Sequence, residues 1–337
     1  MKSRTRNRMR RKALLAGILT LALTAVGMGP ASAADTIRFG DASWDSIQVH
    51  NRIAGFILKH GYGYDVDYLP GETAPLVTGL MRGDVDVYME SWTENIQDMY
   101  DKGIKDGSII DLGSNYPDSW QGWLVPSYVV KGDAERGIEP MAPDLKSVRD
   151  LPKHWELFKD PENPSKGRFY NSIPGWKVTS INEQKIKAYG LEETYNVFLP
   201  GSDAALSGSM VAAYEKGEPW LGYYWAPTWV LGKLDMTPLK EPPYDEKVWE
   251  STKACAFPSV QVNILVHSDL PGRAPEAVGF FKKYETTTAV NNKVLAYMQE
   301  EKADTEEAAR WFLENYRDLW ISWVSEEAAG KVLAALK

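Results

Sequence analysis

Thirteen tryptophans occur in the 337-residue chain, and the places of four of them suggest a binding chemistry. Trp44 follows a β-rich run at Ile37 to Gly40, Trp92 follows Val85 to Met89, Trp176 follows Phe169 to Ile173, and Trp225 ends the run from Trp220. Each sits where a strand passes into a helix. In open α/β sheets the carboxyl ends of the strands face the ligand crevice, so these junctions bring four indoles to one region, two from each half of the chain. A single tryptophan reads as core packing, because an indole buries a large area in any fold. Four at equivalent junctions read as a site. Aromatic faces carry negative potential and suit a large, weakly hydrated cation with no N–H to donate, each ring contributing about 0.5–2 kcal/mol when desolvated. Such a box fits a quaternary ammonium group.

Sugars also stack on tryptophan, but a sugar site needs many polar partners, and these junctions offer only Asp45, Glu90, Asn95 and Lys177. Trp311, Trp320 and Trp323 fall on C-terminal helical segments and are expected in the core. Trp120, Trp123, Trp220, Trp229 and Trp249 stay undecided. Asp84, Asp86 and Glu90 alternate along one strand, and with Val85, Val87 and Met89 pointing into a core they are expected at its rim. Catalytic signatures are missing: the chain has no P-loop, GxSxG, GxGxxG or HExxH. Its four histidines, His50, His60, His154 and His267, are scattered. An enzyme, a metal centre and a cofactor are not expected.

Two α/β lobes must hold the indoles. The first twelve residues carry seven basic side chains, an apolar run from Ala13 to Val26 follows, and Ala31-Ser32-Ala33 is a peptidase-type site, so residues 1–34 are expected to be a cleaved signal peptide. Without them Lys plus Arg falls from 38 to 31 against 46 acids, a formal charge of about −15, which disfavours nucleic acid as a partner. The single cysteine, Cys255, permits no internal disulfide. About 300 mature residues exceed one typical core, so two domains are expected.

Along the mature chain the rhythm is βαβ: Ile37 to Gly40, a helix with Val49, Ile53, Phe56 and Ile57 on one face, Tyr64 to Leu69, a helix from Thr73, and Val85 to Met89, all in a parallel sheet. Lys131 to Lys166 reads as surface loops with a helical turn. A strand at Phe169 to Ile173 precedes a helix expected from Ser180, with Glu183 completing a capping box and Gly190 stopping it. Trp220 to Trp225 and Val260 to Val266 are further strands, and the last seventy residues are helical, with Asp304 and Glu307 as a second capping box.

FGDASWD at 39–45, GDVDVYMESW at 83–92, GWLVPSYV at 122–129, IPGW at 173–176 and YYWAPTW at 223–229 occur in order over nearly the whole mature chain. In these segments the chain resembles the glycine betaine/choline-binding proteins of ABC importers, the OpuAC-type substrate-binding family. The resemblance implies a type II periplasmic-binding-protein fold, two lobes with a hinge crossed twice and a ligand cleft between them. The expected division is 35–126 with 240–337 for the first lobe and 127–239 for the second. It further implies that Trp92, Trp176 and Trp225 form the quaternary-ammonium box, that Trp44 adds a wall used by choline binders, and that the backbone N–H groups of Lys177 and Val178 receive a betaine carboxylate.

The chain also departs from that family. Ile96 stands where some betaine binders place a carboxylate-holding histidine, four residues after Trp92. Lys177 and Val178 replace the glycine and cysteine that can follow the PGW element, and the Lys177 side chain is a second candidate for pairing with a carboxylate. Asp45, and more weakly Glu90, are candidates for the acid that choline binders set near the cation. The implied protein is a monomeric periplasmic osmoprotectant-binding protein whose partners are a quaternary-ammonium ligand and a membrane permease. Alternatives are the same fold holding trimethylamine oxide, dimethylsulfoniopropionate, carnitine or another small polar solute, or a secreted α/β enzyme.

Overall fold

The computed structural model describes residues 36–258 and 262–337. The expected signal segment lies outside the described residues, as does the start of the strand expected from Val260. The strands are β1 (Thr36–Ala42), β2 (Asp65–Gly71), β3 (Val87–Trp92), β4 (Ile109–Tyr116), β5 (Trp120–Pro126), β6 (Gly167–Tyr170), β7 (Tyr195–Phe198), β8 (Gly222–Ala226), β9 (Met236–Pro238) and β10 (Val262–His267). They form two five-stranded sheets ordered β2-β1-β3-β10-β4 and β7-β6-β8-β5-β9. In each sheet four strands run one way and one runs against them: β1 pairs β2 and β3 in parallel and β6 pairs β7 and β8 in parallel, while β10 lies antiparallel to both β3 and β4, and β5 to both β8 and β9. The parallel start expected from the βαβ rhythm is present, and the fold is the two-lobed α/β architecture.

Period-two alternation divides the core of the first sheet. Ile37, Phe39, Val87, Met89, Ile264 and Val266 face the helices, including the C-terminal ones, while Tyr88 and Leu265 face the side shared with the second sheet. β3 lies in the middle of its sheet with both faces covered, so its acids do not sit at a rim. Asp84 is exposed as expected, but Asp86 and Glu90 are fully buried. Asp86 is neutralised by Arg38, whose Nε donates to it at 2.9 Å, and by Arg273. Trp320 and Trp323 are buried among the C-terminal helices, and Trp311 stacks on Tyr297 at 4.8 Å.

One helix start differs from expectation in a way that matters for the site. The helix expected from Ser180 begins at Lys177 and runs to Ala188, with Trp176 as its extended N-cap residue. Ser180 Oγ donates to the Lys177 carbonyl at 2.9 Å, so that serine sits inside the first turn and does not cap it. Gly175, at φ +96°, turns the chain into the helix.

The chain also passes between sheets at other points than 126 and 240. Trp120–Pro126 pairs with β8 and β9, so the first crossing lies between Tyr116 and Trp120. Residues after 240 stay with the second sheet: the fully buried Lys185 donates from Nζ to Glu241 Oε1 at 2.6 Å and to the Cys255 carbonyl. Tyr189 Oη donates to the same Glu241 oxygen at 2.8 Å, and Trp249 packs on Phe257. The chain is back in the first sheet by Val262. Removing one member of a buried ion pair leaves an uncompensated charge, so Lys185→Ala should destabilise the protein by about 3–5 kcal/mol in urea denaturation. A loss below about 1 kcal/mol would mean that the pair is not what fastens this segment.

Candidate functional site

Trp44, Trp92, Trp176 and Trp225 line a single cavity, two indoles from each lobe, as their junction positions suggested. Between its walls lies about 440 Å³ of space, part of it open to solvent. Trp176 stands nearly edge-on to its neighbours, with ring centroids 5.4 Å from Trp44 and 5.0 Å from Trp225 and interplanar angles of 79° and 78°. Tyr223 stacks roughly parallel to Trp225 at 6.0 Å and also lines the cavity. Perpendicular rings present faces in more than one direction, which is the geometry that encloses a roughly spherical cation.

Glu90 is the chemical centre of this wall. Its Oε1 accepts from Trp44 Nε1 at 2.7 Å, from Trp92 Nε1 at 3.1 Å and from Ser46 Oγ at 3.0 Å. One carboxylate oxygen thus orients two cage indoles. Burial pushes the Glu90 carboxyl above its usual range, while the donated hydrogen bonds pull the other way. Behind it, Tyr116 stacks on His50, and burial pulls the His50 pKa down to about 3, leaving the ring neutral and bonded through Nδ1 to the Tyr284 hydroxyl at 2.7 Å. Among the described residues lining the cavity, Glu90 is the one acid and Lys177 the one base.

Lys177 and Val178 open the Lys177–Ala188 helix and line the same cavity. No side chain caps this helix, so the N–H groups of Lys177 and Val178 at its start have no intrahelical acceptor, while that of Thr179 donates to the Trp176 carbonyl at 3.2 Å. Helix N-termini favour anions. The cavity lining therefore combines one carboxyl, four indoles and the start of a helix.

Ile96 lines the cavity at the position where a histidine was considered, and contributes only an apolar surface. Asp45 is not in the cage. It opens the Asp45–Ile57 helix and faces a second, larger cavity on the far side of Trp44 and Trp225, together with Asp203. There burial, reinforced by Asp45, pushes the Asp203 carboxyl up to about 8. Trp120 and Trp123 do not line the cage: Trp120 lies against Gly122, and Trp123 Nε1 donates to Asn182 inside the second lobe. Thr73, Tyr88, Ser91 and Tyr223 join the lining without having been singled out in the sequence. For two of them a signal existed, since Tyr223 precedes Trp225, and Tyr88 precedes Glu90, by two residues on the same strand face.

The model of the substrate binding domain of ABC-type glycine betaine transport systems matches residues 35–315. A trimethylamine N-oxide-binding protein of Pelagibacter ubique is 25% identical over 281 residues, spanning 82% of this chain and 87% of the relative. The glycine betaine-binding periplasmic protein OusX of Dickeya dadantii is 31% identical over 180 residues, 52% of this chain and 50% of the relative. Among solved structures, a glycine betaine/L-proline-binding protein from Borrelia burgdorferi matches with a TM-score of 0.72 at 19% identity, covering 88% of this chain and 100% of that one. A choline-binding protein in complex with choline matches with a TM-score of 0.72 at 18% identity, covering 90% and 98%. These structures share the fold. The chain belongs to the substrate-binding family of ABC-type glycine betaine transport systems, a family of binding proteins and not of enzymes.

Proposed function

We propose that this protein captures a small trimethylammonium zwitterion, glycine betaine or a close relative, and presents it with the lobes closed to the membrane permease of an ABC importer. The observation that carries this reading is the polarity of the cage: Glu90 and four indoles for the cation, and the open helix N-terminus at Lys177 and Val178 for the anionic end. A ligand touching walls from both lobes binds the closed form better than the open one, and that difference shifts the population toward closure. We assign Trp44, Trp92, Trp176, Trp225, Glu90, Lys177 and Val178 to the ligand. Asp45, which faces the neighbouring cavity, is reassigned to the cleft.

Trimethylamine N-oxide is the second reading. The Pelagibacter relative, matched over 87% of its length, supports it, and so does Ile96, which offers no charge or hydrogen bond to a longer carboxylated tail. A periplasmic location is supported by the basic, apolar and small-residue pattern of 1–34 and by relatives such as the periplasmic protein of Dickeya dadantii. We take 36–116 with 262–337 as one lobe and 120–257 as the other, working as a monomer.

Intrinsic fluorescence titration with glycine betaine, choline, carnitine, dimethylsulfoniopropionate, trimethylamine N-oxide and a control sugar tests the class. One onium compound should saturate the signal, and Trp92→Ala or Trp225→Ala should weaken it by more than about tenfold, since 1.4 kcal/mol is a factor of ten. Saturation by the sugar alone, or folded mutants with unchanged affinity, rejects the cage.

Glu90 gives a pH signature. A permanent cation favours the ionised carboxylate, so affinity should be full at high pH and fall as the pH drops through the raised range of the Glu90 carboxyl. Glu90→Gln should bind at least about tenfold more weakly at pH 8 and lack the fall in affinity that the wild type shows as the pH drops. Parallel pH profiles for the two proteins would show that the carboxylate does not face the cation.

A further inference from the structure

Trp176 is a cage wall that belongs to the second lobe, yet its indole N–H is held by the first. Its Nε1 donates to Ser43 Oγ at 3.2 Å, and Ser43 Oγ donates in turn to Glu72 Oε2 at 3.2 Å. The serine hydroxyl has one proton, which this arrangement commits to the carboxylate, leaving its oxygen to accept from the indole. The three groups form one polarised chain across the cleft. Gly175 lets the lobes come this close: a Cβ there would lie 2.8 Å from Glu72 Cγ and 2.9 Å from Glu72 Cβ.

We propose that Ser43 and Glu72 form a latch that couples occupation of the cage to lobe closure, by fixing the plane of Trp176 from the opposite lobe. Neither residue lines the cage, so both act through the indole and are positioning residues. The latch rests on the binding role proposed above. It also acts against a repulsion. Ser43 and Glu72 line the second cavity, where Asp45 and Glu72 from the first lobe meet Asp203 and Glu215 from the second, and where no cationic side chain is among the described lining residues. Closing the cleft brings these carboxylates together, and a directed hydrogen-bond chain between the same two surfaces offsets part of that cost. Because the chain ends on a residue that the ligand stacks against, a ligand that orders Trp176 also orders the latch.

The experiment compares wild type with Ser43→Ala and Glu72→Gln by stopped-flow fluorescence, using whichever compound of the titration panel binds the wild type. The latch exists only in the closed form, so each variant should raise the dissociation rate about tenfold while leaving the association rate within about twofold. The ligand-free melting temperature should not move. The double variant should lose no more than the more damaged single one, because both residues serve one chain. An unchanged dissociation rate, or fully additive losses, overturns the proposal. Should no compound bind, the functional reading fails, and paired spin labels at the exposed Lys102 and Lys216 test the latch without ligand. A closed population present in the wild type and lost in both variants then supports it, and identical distance distributions in all three overturn it.

Discussion

The site depends on one buried carboxylate. Glu90 lies on the central strand of the first sheet, where both faces are covered, and a charge there is costly unless it is paired or hydrogen-bonded. The fold gives its Oε1 two indole N–H groups and a hydroxyl, leaves its buried Oε2 without a partner, and so commits the only side-chain hydrogen-bonding atoms of Trp44 and Trp92. Two of the four rings are thereby locked in orientation before any ligand arrives. Preorganised rings lose little freedom on binding, which is where rigid aromatic sites gain over flexible ones.

The second lobe contributes differently. Trp176 and Trp225 pack against each other at 5.0 Å, and Trp176 is oriented by a bond to the first lobe. The fixed half of the cage therefore sits on the first lobe, while one ring of the other half takes its final orientation from contact between lobes. A small solute can bias a large motion in this way because its contacts and the interlobe contacts share a side chain.

Much of this was legible in the sequence, for identifiable reasons. The four indoles could be placed because strand-to-helix junctions in α/β sheets converge, and strand positions could be read because buried parallel strands are apolar over consecutive residues. Periodicity places Glu90 at a rim, with its nearness to Trp92 making it a weaker candidate acid, because periodicity tells which residues share a face and does not tell whether that face is covered. Adjacency to Trp44 makes Asp45 a candidate cage acid, but chain neighbours need not face the same space, and Asp45 lines the second cavity. The helix at Lys177 was started three residues late because a serine and glutamate at capping-box spacing also fit a helix interior. The sheet crossings were displaced because nothing local in Trp120–Pro126 states which sheet its partners belong to.

Trp44 and Trp225 form walls of both the cage and the acidic cavity behind it, so the two spaces are separated by the thickness of an aromatic ring. Under the proposed binding role, that partition bounds the length of solute the cage can hold. A lineage that exchanged either ring for a short side chain would join the compartments and gain room, lined with carboxylates and hydroxyls, for a longer polycationic or hydroxylated tail. Divergence in diet could then proceed one wall at a time, with sheets, crossings and closure left intact.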